Sequence, residues 1–284
     1  MMSTNNKWYE DWQAQKHVEL FDFRSVLSDT DLIRDYERYN DVLLLNERLK
    51  KTKRSTALLE VGCATGEFFR YLRLKYPQVG YCGIDISEPA LECARSKYPE
   101  ASFLSNTPTD TGDLVNGPGF DGEPAFLYSK DVVLHQTDPF LFTKRLIETA
   151  THTVVMRLRT RDNGPTEFDP ELSCQYHYSG WMPYIVLNVD EIVEHVRAVQ
   201  PAAELVIRRH HIVLGGLHNR YLPKDCYLTE TGTAETAVGV FIETDYPGRI
   251  TIEDVPENAP AYTWRHLSRS ALRRVKSAMM RRRL

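Results

Sequence analysis

Apolar positions along this chain alternate between two periods. Ala57, Leu58, Leu59 and Val61 form a nearly continuous run that ends at a pair of glycines, the pattern of a parallel strand covered on both faces. Beyond Gly66, the residues Phe68, Tyr71, Leu72 and the stem of Lys75 recur at helical steps. Tyr81 to Ser87, YCGIDIS, reads as a second strand, and Ser87-Glu88-Pro89 as a helix start with a capping serine and a first-turn proline. Shorter strands are expected at Ala101 to Leu104 and Ala125 to Tyr128, then a helix from Pro139 to Ala150 and a strand from Thr153 to Leu158. Asn188 opens a helix carrying Ile192, Val193, Val196 and Val199, and late strands are expected near Glu204 to Leu214 and Ala237 to Glu243. Two helical signals, Lys7 to Leu20 and Asp31 to Lys51, precede the first strand. Strands alternating with helices predict an α/β chain with seven strands.

The chemistry concentrates where strands end. In Leu58 to Gly66, LLEVGCATG, Gly62 and Gly66 lack a Cβ, so the chain can turn sharply and a ligand can touch the main chain. A helix starting after them presents unpaired amides to whatever lies over the turn. Asp85 is an acid at the carboxyl end of the second strand, suited to the two hydroxyls of a ribose. A nicotinamide-type fold uses the same two parts, but its G-x-G-x-x-G places the outer glycines five apart. Here they are four apart and led by an acid, E-x-G-x-A-x-G.

That turn resembles motif I of the class I S-adenosylmethionine-dependent methyltransferases of small-molecule type, and Asp85 matches their motif II acid. The resemblance implies S-adenosyl-L-methionine as cofactor and a Rossmann-like, doubly wound, mostly parallel sheet whose last strand is antiparallel. It places Glu60 near the amino and carboxylate groups of the methionine part, Gly62, Cys63, Ala64 and Gly66 beneath it, Asp85 on the ribose and Ile86 against the adenine. Ala64 stands where many members have a second glycine. Asn106 occupies the place of the adenine amino contact, although most members have an acid there. Ser129, Lys130 and Asp131 end the fourth strand, at the carboxyl edge where open sheets bind ligands, and should face the transferred methyl. The segment from Ser129 through Val133-Leu134-His135 to Asp138-Pro139 resembles motif IV and the run that follows it. Methyl transfer is an in-line displacement, so the protein positions the acceptor and removes its proton. His135 is a candidate group for that proton, and Asp131 can take it or orient the histidine. The alternatives are packing beneath the site for His135 and helix capping for Asp131. In such a family the leading helices cover the site, making Trp8, Tyr9, Trp12, Tyr36 and Tyr39 candidates for that cover, with plain packing as the alternative.

Composition narrows the class. The chain has 284 residues, enough for one large or two small domains. Its five cysteines show no C-x-x-C spacing, which fits reduced thiols in the cytoplasm. No metal is expected: His210 and His211 are strand neighbours that point to opposite faces, and no H-x-x-x-H or Cys cluster occurs. No apolar run approaches the roughly 20 residues of a membrane span, and the start is polar.

Two regions carry the acceptor question. Residues 159–184 are read as an irregular aromatic insertion, in which Tyr176, Tyr178 and Trp181 supply flat faces for a sugar or aromatic acceptor and His177 is a further candidate base; the alternative is an insertion that packs as a small subdomain without touching a ligand. From Arg265 to Leu284 there are eight Lys or Arg and no acid, whereas the remainder holds 27 basic and 39 acidic residues. As a helix, this tail puts Trp264, Leu267, Ala271, Val275, Ala278 and Met279 on one side, the form of a peripheral anchor on an anionic membrane surface. A solvated tail, a nucleic-acid contact and a clamp on the acidic body are the alternatives. No nucleic-acid acceptor is expected, because the acidic body would repel phosphate. The expected organisation is a helical cover over 1–52, a methyltransferase domain over 53–250, a linker over 251–263 and the basic amphipathic tail over 264–284. The expected activity is O-methylation of a hydroxyl on a glycan or other small acceptor, lipid-linked at the inner face of the membrane if the tail docks there. A soluble N- or O-methyltransferase of secondary metabolism and a non-catalytic cofactor-binding scaffold are the competing readings.

Overall fold

The computed structural model describes residues 22–52, 56–105, 124–177, 180–215, 220–222 and 232–258, together with Val18 and Cys226. A 3-10 turn at Asp22–Val26 leads into α1 (Asp29–Tyr36) and α2 (Asn40–Lys51). Ser28 caps α1 by accepting the Asp31 amide, one of the donors that a helix start leaves unpaired. The βα units then follow as β1 (Ala57–Val61), α3 (Glu67–Lys75), β2 (Gly80–Asp85), α4 (Glu88–Lys97), β3 (Ser102–Ser105), β4 (Phe126–Lys130) and α5 (Pro139–Thr149). Next come β5 (Thr153–Arg161), β6 (Cys174–His177), β7 (Gly180–Pro183), β8 (Leu187–Asn188), α6 (Val189–Val199), β9 (Glu204–His211), β10 (Arg220–Tyr221), β11 (Thr233–Phe241) and β12 (Ile250–Asp254).

The main sheet runs β12-β9-β11-β5-β4-β1-β2-β3, with β8 alongside β5. Seven of these strands are the seven read from the sequence. β11, the seventh of them, is antiparallel to both β5 and β9, while the β1–β5 pairings are parallel. Two strands are additional, so the sheet has nine rather than seven among the described residues, and the last of these, β12, lies parallel to β9 instead of antiparallel. β12 occupies residues expected to begin a linker. It was hard to see because it is short and half-exposed, and it covers an outer edge of β9 that would otherwise present unpaired amides and carbonyls.

Helices sandwich the sheet. On one face Leu32, Leu44, Leu45, Leu49, Phe68 and Leu72 pack against Leu58, Phe126, Tyr128, Val155 and Ala237. On the other, Leu146, Ile147, Ile192 and Val196 pack against Leu59, Val61, Leu127, Val154, Met156 and Val238. Thus α2 is a core layer lying on the sheet. The single helix expected over Asp31 to Lys51 is broken at Glu37–Tyr39, where Tyr39 turns extended (φ −92°, ψ 134°) ahead of α2. The expected aromatic insertion is only partly irregular: β5 extends to Arg161, and β6, β7 and β10 form a separate small sheet in the order β10-β6-β7. Trp8, Tyr9, Trp12, Asn106, Tyr178 and the whole tail from Trp264 lie outside the described residues, as does the side chain of His177.

Candidate functional site

Two clusters of polar groups meet at the carboxyl edge of β1, β2, β4 and β5. The first is the glycine turn. Gly62 has φ +86°, and a Cβ built there would lie 2.3 Å from Val132 Cγ2, so the turn and the residues after β4 touch at a point where only hydrogen fits. Gly66 has φ +79° and lies against Phe103 and Ala94. Ala64 also takes a left-handed φ of +46°, which an L side chain rarely adopts. Four amides of the turn have partners: Gly62 and Cys63 donate to Ile84 O of β2 (2.8 and 3.1 Å), Gly66 to Cys63 O (3.0 Å) and Ala64 to Asp85 Oδ2 (2.8 Å). Asp85 pins the turn through one oxygen and accepts the Ser87 amide with the other (2.9 Å). Burial raises its pKa, opposed by these backbone donors. Ile86 is half-buried immediately after β2.

Glu60 is buried on the α1–α3 face of β1, its carboxylate accepting from Tyr81 OH. Burial pushes its pKa up to about 8, with the Tyr81 hydrogen bond opposing. Parallel register sets Glu60 opposite Tyr128 of β4, so Lys130, two residues on, projects to the same face one pleat nearer the edge. Among the described residues its ammonium has no hydrogen-bond partner, and neither does the buried hydroxyl of Ser129. Lys130 Nζ instead lies 3.2 Å from the ring centroid of Tyr39.

The second cluster is ionic. Arg157, 1 % exposed, pairs with Asp41 (3.2 Å), Glu235 and Glu257, and its Nε is 3.6 Å from Asp131. Arg159 pairs with Asp131 (2.7 Å) and Glu235 (3.2 Å) and donates to Tyr184 OH (3.0 Å). Tyr128 OH donates to Asp41 Oδ2 at 2.6 Å. Asp131 has φ +58°, directly after β4. Burial would raise its pKa, but Arg159 and Arg157 beside it prevail and hold the carboxyl well below the usual carboxylate range. A carboxylate so held is a weak proton acceptor. His135 is buried in a 3-10 turn (Val133–His135), with Nδ1 2.7 Å from Pro183 O. Its ring thereby fastens β7 beside the end of β4, and the Ile185 amide donates to Leu134 O (2.8 Å) at the same seam.

The structure thus brings Glu60, Gly62, Cys63, Ala64, Gly66, Asp85, Ile86, Ser129, Lys130 and Asp131 to one sheet edge. Tyr176 and Trp181 lie apart on the small sheet, where Trp181 packs edge-on to Tyr176 (5.3 Å) and Tyr221 (5.1 Å). Arg157, Arg159, Asp41, Glu235 and Glu257 escaped the sequence reading. The available signal was Arg157, Arg159 and Arg161 at every second position, which places three arginines on one face of a strand that the apolar run seemed to end at Leu158.

The methyltransferase-domain family model matches residues 59–135, from β1 through the His135 turn. Phosphoethanolamine N-methyltransferase 2 of Haemonchus contortus, solved with phosphomonomethylethanolamine and S-adenosylhomocysteine, aligns at 11% identity with a TM-score of 0.50, over 80% of this chain and 61% of that one. The O-methyltransferase of a Brevibacillus brevis trans-AT polyketide synthase, solved with S-adenosylhomocysteine, aligns at 14% identity over 83% and 82%, TM-score 0.48. The N-terminal domain of EvdMO1 with bound S-adenosylhomocysteine aligns at 12% over 71% and 79%, TM-score 0.48. The buried acid Glu60, the bare edge of Gly62 and the carboxylate of Asp85 lie together at this sheet edge. Residues 59–135 thus carry a methyltransferase domain, set in a mostly parallel, Rossmann-like sheet of the kind found in S-adenosylmethionine-dependent methyltransferases.

Proposed function

We propose that the protein O-methylates a hydroxyl of a glycan or other small acceptor. When bound, S-adenosylmethionine supplies an electrophilic methyl on a sulfonium. On this reading Glu60 receives the donor's ammonium, Asp85 accepts its ribose hydroxyls, Ile86 lies against the adenine, and the bare edge of Gly62 admits its methionine end. Asp131, locked to Arg159, orients the acceptor side instead of taking a proton. The observation that carries the acceptor class is the Tyr176–Trp181–Tyr221 ring cluster, which sits on a sheet fastened to the end of β4 by His135 and leaves Tyr176 42% and Tyr221 56% exposed. Flat rings with polar tips suit sugar faces.

The test is tritium transfer from methyl-labelled S-adenosylmethionine to two sets of probes, free and nucleotide-linked hexoses on one side and ethanolamine and its phosphate on the other. Transfer to hexoses is expected, with Trp181→Ala raising their KM about tenfold and leaving S-adenosylhomocysteine affinity unchanged. Transfer to the amines alone would establish the N-methyltransferase reading instead. The basic tail supports a further element, docking on anionic membrane where lipid-linked acceptors are made. Truncation before Trp264 should abolish sedimentation with anionic vesicles while cofactor binding persists, and unchanged sedimentation refutes it.

A further inference from the structure

We propose that Lys130 is the proton acceptor of the reaction, its neutral amine taking the proton of the acceptor hydroxyl. The inference rests on the methyltransferase reading and replaces His135 and Asp131 in that role. Geometry argues against Asp131 and ties one ring nitrogen of His135 to the backbone. Asp131 is engaged by Arg159 and Arg157, and His135 is turned to a backbone carbonyl of β7. Lys130 differs from the neighbouring cations in making no hydrogen bond to an acid among the described residues. Arg157 and Arg159 each have carboxylates in contact, whereas Lys130 Nζ is buried without a hydrogen-bond partner among the described residues.

Its position suits the task. Lys130 is the last residue of β4, on the face that carries Glu60, and the chain just beyond it touches the glycine turn at Val132. The amine rests on Tyr39 and lies 5.8 Å from the centroid of Tyr36. The charged groups around it come from every packed element: Arg24 from the first 3-10 turn, Asp41 from α2, Glu60 from β1, Asp131 after β4 and Arg157 from β5. Burial is the largest influence and lowers the pKa to about 8; Asp41 opposes it, while Arg24 and Arg157 reinforce it. A lysine poised there is neutral in a useful fraction near physiological pH, the condition for an effective base.

In the step, the acceptor O–H bond breaks as its oxygen bonds to the methyl carbon. The proton goes to the Nζ lone pair, and the pair of the broken carbon–sulfur bond stays on sulfur. The resulting ammonium then returns its proton to solvent.

Trace labelling of the full chain with acetic anhydride from pH 6 to 11, read by mass spectrometry, tests the amine without needing an acceptor. Lys130 should titrate near pH 8, well below the other lysines, and titration with the others above pH 10 overturns the proposal. In parallel, Lys130→Gln and Lys130→Arg are compared with wild type. Both should retain S-adenosylhomocysteine affinity by calorimetry, and both should lose about 10²-fold in kcat on the hexose probes. Both should also lose the rise of kcat/KM towards pH 8. Arginine keeps the charge but cannot give up its proton, so recovery in Lys130→Arg would establish a purely electrostatic role and overturn the proposal. If wild type binds S-adenosylhomocysteine but methylates no hexose, the acceptor class fails, and Lys130 stands or falls on its labelling curve.

Discussion

The two halves of the site are built on opposite principles. The glycine turn between β1 and α3 achieves its shape through backbone conformation, with Gly62, Ala64 and Gly66 all at positive φ and Asp85 tying them down. The edge formed by β4 and β5 achieves its shape through charge, with Arg157 and Arg159 among Asp41, Asp131, Glu235 and Glu257. A turn held by backbone can be carried by nine contiguous residues and reused with many acceptors. An edge held by ion pairs draws on segments more than a hundred residues apart, so it can be retuned by single substitutions. The difference teaches where change is tolerated: the turn admits little, whereas the ion-paired edge can change so long as its charges stay matched.

The strongest way to break this contrast is Arg157→Met. Removing the central cation leaves Asp41, Glu235 and Glu257 crowded without compensation, and loss of one member of a buried ionic group costs about 3–5 kcal/mol. Urea denaturation should show that loss, and a change under 1 kcal/mol would mean the network adds little beyond packing. Next comes Gly62→Ala on the opposite side. The new methyl meets Val132 Cγ2 and the residue keeps φ +86°, so about 2 kcal/mol or more is expected from clash and left-handed strain together, with weakened S-adenosylhomocysteine binding. Gly62→Ala with Val132→Ala should recover the clash but not the strain. Full additivity of the two changes would show that turn and β4 edge do not touch in solution.

The same contrast explains what was legible beforehand. LLEVGCATG and YCGIDIS could be read because strand, turn and acid are contiguous and each requires a particular residue type. The seven main strands were legible from their buried, continuous apolar runs. β12 was not, since Ile250–Asp254 is short and half-exposed, and its place is decided by the open edge of β9. The break at Glu37–Tyr39 was hidden inside an unbroken helical pattern, yet it is what brings the Tyr39 ring under Lys130. The Arg157 hub could not be inferred, because its partners at 41, 131, 235 and 257 converge only after the sheet order is known. His135 was found as a residue near the site, but its contact with Pro183 O depends on a small sheet that local periodicity did not reveal.

A milder probe uses pH. Glu60 is raised from 4.5 to about 8 chiefly by burial, so the folded state holds a proton that the unfolded chain has released across that interval. Its contribution to stability is full below pH 4.5, declines as pH rises and is gone above about 8. Glu60→Gln removes the dependence. Urea stability of wild type should therefore fall relative to Glu60→Gln between pH 5 and 8 by an amount on the order of a few kcal/mol. Parallel curves would place Glu60 in a wetter setting. Because the donor's ammonium favours the carboxylate, binding S-adenosylmethionine at pH 7 should release protons, measurable by calorimetry in buffers of different ionisation enthalpy.

The smallest effect tests the turn at its least conforming residue. Ala64 keeps φ +46° with a side chain that disfavours it, at about 1 kcal/mol or slightly more. Ala64→Gly relieves that strain, but glycine also enlarges the unfolded ensemble, which offsets about 0.4–1 kcal/mol. The net should be a gain below about 1 kcal/mol, read from urea midpoints at unchanged slope. The amide at 64 still donates to Asp85 in either residue, so S-adenosylhomocysteine affinity should hold. A loss of stability would show that Ala64 relaxes out of the left-handed region in solution. The turn would then owe its shape to the Asp85 tie and the two flanking glycines alone.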